Sequence, residues 1–117
     1  MKWLSRLTRS DLEVEADQLE ARTRTLSATC IRDVALGEPV TVAGTVRSVT
    51  VRPRTDITAL VAELYDGTGM LTLVWLGQRQ LRGVTAGRPL VAHGRVTERH
   101  GKRYLFNPRY ELRPFGS

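Results

Sequence analysis

The side chains best placed to do chemistry in this sequence are cationic. Sixteen of its eighteen Lys and Arg residues are arginine, and twelve Asp and Glu residues leave a formal charge of +6. A guanidinium fork binds two phosphate oxygens at once, so an arginine excess suits phosphate contacts. The excess is local. Residues 1–30 hold five basic and five acidic residues, and residues 31–117 therefore carry the whole net charge. Within 95–113, Arg95, Arg99, Lys102, Arg103, Arg109 and Arg113 are set against Glu98 and Glu111. With a pI near 10.4, the chain favours polyanionic partners, either nucleic acid or an acidic membrane surface.

Other chemistries have little to stand on. Cys30 is the only cysteine, which excludes an internal disulfide and a thiolate metal cluster, and it reads as a small buried hydrophobe. His93 and His100 lie seven apart with no cysteine nearby, a poor metal constellation. Ser48, His93 and Asp66 form no recognisable triad, because no nucleophile elbow marks a serine. No GxxxxGK[ST] phosphate loop occurs. The expectation is a non-enzymatic protein with no catalytic or metal-binding residue and no cofactor. No segment approaches the ~18–20 apolar residues of a membrane span, and the start, MKWLSRLTRS, lacks a signal-length apolar run. No membrane association and a cytoplasmic location are expected.

The elements that must position the cations change character along the chain. Residues 10–28 read as a helix, with a capping box from Ser10 to Glu13 and a narrow stripe of Leu12, Leu19 and Leu26. That stripe suits docking on another surface of the same protein, or on a partner. From residue 38 onward, β-branched residues and glycines dominate. In PVTVAGTVRSVTVRPR, Val40, Val42 and Val46 alternate, then Val49 and Val51 take the opposite parity. That shift predicts a bulge or bend near Gly44. ITALVAELYD puts Leu60, Ala62 and Leu64 on one face, and Asp66-Gly67-Thr68-Gly69 is a turn. MLTLVWLG alternates Leu71, Leu73 and Trp75. Residues 77–87 allow one or two helical turns. PLVAHGRVTER puts Leu90, Ala92 and Val96 on one parity around a second expected bend, Gly94. His100-Gly101-Lys102 turns into RYLFNPRYEL, a fifth strand that Pro108 must end or push to an edge.

Five short strands in about 80 residues, with glycine-bent first and fourth strands, predict a mainly β chain. The architecture is a five-stranded Greek-key OB-fold barrel with an N-terminal α-helix. The boundaries follow: 1–30 a helical extension, 31–113 the barrel, 114–117 a tail. Over about Leu36 to Arg113 the chain also resembles the OB-fold nucleic-acid-binding domains of the anticodon-binding type, and within them is most similar to the wedge domain of RecG helicases. The motifs that carry the resemblance are VAGTVRSV, LYDGTGMLTLVWLG, GRPLVAHGRV and FNPRYEL. ATP-driven helicase activity is not expected to carry over with them, since no phosphate-loop motif accompanies them.

The resemblance implies single-stranded or junction nucleic acid bound on the outer face of strands two and three; DNA is the expected partner, with RNA left open by the sequence. Two loops would bound that face, Arg52-Pro53-Arg54-Thr55-Asp56 and Arg99-His100-Gly101-Lys102-Arg103. The candidate binding residues are therefore Arg47, Arg52, Arg54, Tyr65, Trp75, Arg95, Arg99, Lys102, Arg103 and Tyr104. Trp75 lies on the inner parity, so core and stacking platform are both open to it. Tyr104 and Phe106 share a parity, either to stack on bases or to pack against the leading helix. Glu63 is expected on the same face as Tyr65, where it opposes phosphate. The second reading is a protein-interaction module, docking through the barrel or through the N-terminal helix.

Overall fold

The computed structural model describes residues 27–53 and 57–115. The helix expected over 10–28 lies outside these residues except for Ser27 and Ala28, which form a turn and a bend. A short 3-10 turn at Ile31–Asp33 precedes six strands: β1 (Pro39–Pro53), β2 (Thr58–Tyr65), β3 (Met70–Leu76), β4 (Pro89–Arg99), β5 (Lys102–Phe106) and β6 (Arg109–Leu112). The last two are the expected fifth strand, split where Asn107 takes a left-handed φ of 51° and Pro108 cannot donate to a ladder. Residues 77–87, where helical turns were expected, form two tight turns instead. These are closed by Val84 N–H donating to Leu81 O and Arg88 N–H donating to Thr85 O.

The strands close a ring, β1–β2–β3–β5–β4 and back to β1, with β6 added along β4. Only the β3–β5 pair in this ring is parallel. The closure depends on β1 serving two partners. Pro39 to Thr45 pair with β4, and Thr45 to Pro53 pair with β2. Just at this hand-over stands Gly44, where a β-carbon would come within 2.5 Å of the Tyr65 carbonyl oxygen. The parity shift read from the valines is a bulge: Val46 faces Leu64 and Ser48 faces Glu63, leaving Arg47 without a partner. Val42 and Val46 thus point inward before the bulge and Val49 after it. Gly94 is different. A β-carbon there would meet Leu105 and Pro108 only at 3.6 Å, ordinary contact, so that bend does not require glycine.

The interior holds the residues picked out by alternation: Leu60, Ala62 and Leu64 from β2, Leu71, Leu73 and Trp75 from β3, Leu90, Ala92 and Val96 from β4. Ile31 closes one end of it, fully buried. Its N–H donates to Asp66 Oδ2 at 2.8 Å and its carbonyl accepts from Arg103 Nη1 at 2.6 Å. Asp66 Oδ1 accepts from the Thr68 N–H, the Thr68 hydroxyl and the Gly69 N–H at 2.8, 2.6 and 3.1 Å. Partial desolvation opposes the charge on Asp66, but these hydrogen bonds outweigh it and hold the carboxyl below its ordinary value of 3.8. Cys30, expected to be buried, is exposed beside this clamp, because the 3-10 turn directs Ile31 rather than its neighbour inward.

Three variants check this account. Gly44→Val should destabilise by about 1–3 kcal/mol through overpacking against backbone. Gly94→Ala should leave urea-melt stability within about 1 kcal/mol of the parent, since alanine restricts the unfolded chain without a clash. Asp66→Asn should destabilise at pH 7. A carboxyl with a lowered folded pKa contributes stability above its unfolded pKa and loses it as pH falls through the folded one. The gap between parent and variant should therefore close below the ordinary value of 3.8.

Candidate nucleic-acid interface

Strand pairing lays out the outer face of the barrel as cross-strand rows. One row runs Thr50, Val61, Val74, Phe106, and the next runs Ser48, Glu63, Thr72, Tyr104, Thr97. Tyr65 and Met70 follow at the hairpin end. Ala59, Val61 and Val74 form a small buried cluster on this face, with Leu76, Tyr104 and Phe106 packed against it. Tyr104 and Phe106 lie stacked on one another, centroids 5.6 Å apart and planes 25° from parallel. Both are half-buried.

Cations stand around these rings. The Arg99 guanidinium lies 5.4 Å from the Phe106 centroid, and that of Arg47 lies 4.3 Å from the Tyr65 centroid. The bulge explains Arg47: left out of the ladder, it is free to turn onto the ring at the end of β2. Arg99 and Lys102 face one another across a two-residue turn, both exposed. That turn has positive φ at both central residues, His100 at 54° and Gly101 at 78°, the geometry that matches strand twist in a tight hairpin. Arg52 is exposed at the far end of β1, opposite Ala59. Arg54, with Thr55 and Asp56, lies outside the described residues.

Three of the expected site residues are committed elsewhere. Trp75 is 5% exposed. Its Nε1–H donates to Pro108 O at 2.9 Å, and its ring meets Tyr110 edge-on at 5.6 Å. It is a core residue and offers no face for stacking. Arg103 alternates with Lys102 and Tyr104, so it points to the other side, where it holds Ile31 O. Arg95 is exposed but donates to the Gly37 carbonyl. Phe106 is the aromatic that the candidate set omitted, and its shared parity with Tyr104 was the signal for it.

Nothing in the described site gathers catalytic groups. His93 Nδ1 meets Thr41 Oγ1 at 3.0 Å and its Nε2 meets Glu111 Oε2 at 3.3 Å, which ties β1, β4 and β6 together. The Asp66 oxygens are taken up by the turn and by Ile31.

A closed barrel of this strand order, with an aromatic and cationic outer face, defines a class of binding domain. The chain belongs to the OB-fold nucleic acid binding domain family of the tRNA anti-codon type, which matches residues 40–113. The fold is also similar to part of RecG, in the structure of RecG bound to a three-way DNA junction. There the identity is 25% and the TM-score 0.62, over 74% of this chain and 12% of the RecG chain. The chain thus spans about one-eighth of that protein's length. No curated protein matches it.

Placing Trp75 in the core has a direct consequence. Trp75→Phe removes the donor to the buried Pro108 carbonyl, which should cost about 1–3 kcal/mol of stability. Affinity for single-stranded DNA, measured by fluorescence anisotropy on the folded variant, should stay at the parent value.

Proposed function

We propose that this protein binds single-stranded or branched DNA across the outer face of β2, β3 and β5, without catalysing a reaction on it. The observation that carries the reading is the stacked Tyr104–Phe106 pair set between Arg99 and Lys102 on one side and Arg47 over Tyr65 on the other. Bases have apolar faces and phosphates are anionic, so a single strand needs both kinds of surface side by side. The +6 charge of the chain supplies the sequence-independent attraction. RecG, similar in fold, is seen on a three-way DNA junction, which supports branched DNA as a substrate class for this face.

Electrostatics provides most of the affinity in this reading. About four phosphate contacts to a single strand give a log–log salt slope on the order of −3. Exchanging Arg99 and Lys102 together for alanine should weaken binding to every sequence alike and flatten that slope by roughly 1–2 units. Phe106→Ala should instead cost about 1–3 kcal/mol of affinity with the slope unchanged. Arg103→Ala should lower the melting temperature through loss of the Ile31 contact. Unaltered affinity in the Arg99/Lys102 variant, or affinity indifferent to salt, overturns the placement of the interface.

A further inference from the structure

Glu63 is the part of the outer face that attraction for a polyanion leaves unexplained. It is the one carboxylate in the two central rows, with Ser48 on one side and Thr72 on the other, and Tyr104 stands next beyond Thr72. The Thr72 hydroxyl, on a residue 4% exposed, donates to both Glu63 oxygens at 3.1 Å. No ion pair joins Glu63 to a described cation, and the nearby Arg47 guanidinium lies over Tyr65. The carboxylate is therefore held in one orientation by a buried hydroxyl. A carboxylate has about four lone-pair positions, so a bond to one hydroxyl leaves outward acceptor capacity unused.

We propose that Glu63 reads base identity, accepting a hydrogen bond from the exocyclic amino group of a base laid over the centre of the face. The inference rests on the nucleic-acid reading of this face and adds a substrate preference to it. A phosphate set against Glu63 would be repelled, which keeps the strand's backbone to the cationic rims near Arg99, Lys102 and Arg47. The bases then cross the centre, beside Tyr104 and Phe106. In a single strand their Watson–Crick edges are free to be read. Cytosine presents an N4 amino donor where thymine presents an O4 acceptor. Glu63 satisfies the first and faces the second lone pair to lone pair. Strands rich in amino-bearing bases are thus preferred over thymine or uracil tracts. Because phosphate contacts are common to all these strands, the preference does not depend on salt.

The test uses fluorescence anisotropy at neutral pH and two salt concentrations. Oligo-dC, oligo-dT and an oligonucleotide of pyrimidin-2-one, which is cytosine without its amino group, are compared at equal length. The whole chain should bind oligo-dC about tenfold tighter than oligo-dT, by the same ratio at both salts, and should bind the pyrimidinone strand no better than oligo-dT. Glu63→Gln, whose amide can both donate and accept, should bind oligo-dC and oligo-dT alike. Equal affinity of the parent for dC and pyrimidinone strands overturns the proposal, whether or not the variant folds. So does a Glu63→Gln variant that gains equally on every strand, since that is relief of repulsion alone. Binding without base preference removes only the role of Glu63, whereas failure to bind any strand at low salt removes the interface itself.

Discussion

Everything in this fold depends on one strand having two partners. β1 must pair with β4 and then, without a break, with β2. The sheet can curl that tightly only where the backbone of Gly44 passes close to the Tyr65 carbonyl. A side chain there would press against that carbonyl and weaken the closure. Three residues later the ladder with β2 shifts register, in the bulge at Arg47. Closure and site are therefore coupled: the residue released from the ladder is the one whose guanidinium covers Tyr65.

The cations divide into two groups by what their neighbours demand of them. Arg103 and Arg95 satisfy main-chain carbonyls at Ile31 and Gly37 and belong to the frame. Arg47, Arg52, Arg99 and Lys102 stand exposed around the outer face. Net charge alone does not separate these groups. A basic barrel can spend much of its charge on holding itself together, and only the remainder is available to a ligand.

How much of this was legible beforehand follows from the range of each interaction. Alternation is local, so Leu60, Ala62 and Leu64, the inner parity of Trp75 and the parity shift in the first strand could all be read from the chain, but parity alone left Trp75 open as a stacking platform. Turn chemistry is local too, and Asp66-Gly67-Thr68-Gly69 forms the expected turn. The roles of Arg103 and Cys30 were not legible. They follow from where the 3-10 turn meets the barrel, and Arg103 and Ile31 are distant in sequence. Steric need at a glycine is likewise non-local: Gly44 and Gly94 look alike in the sequence, yet only at Gly44 would a β-carbon collide with backbone. The hydrogen bonds that orient Glu63 required the register of β2 on β3.

The pairing of Pro39 with Arg95 also sets the order in which the chain can fold. The β2–β3 and β4–β5 hairpins join neighbours in sequence and can form early, each closing a short loop. The β1–β4 and parallel β3–β5 ladders join distant segments, and the entropy lost in bringing them together is not offset until most of the core is in place. Barrel closure is therefore the late and slow event. Until it happens, β1 and β4 both present unpaired edges, the surfaces through which strands of separate molecules add to one another. The interval between hairpin formation and closure is the period in which this protein is most exposed to aggregation, and its length is governed by topology more than by final stability.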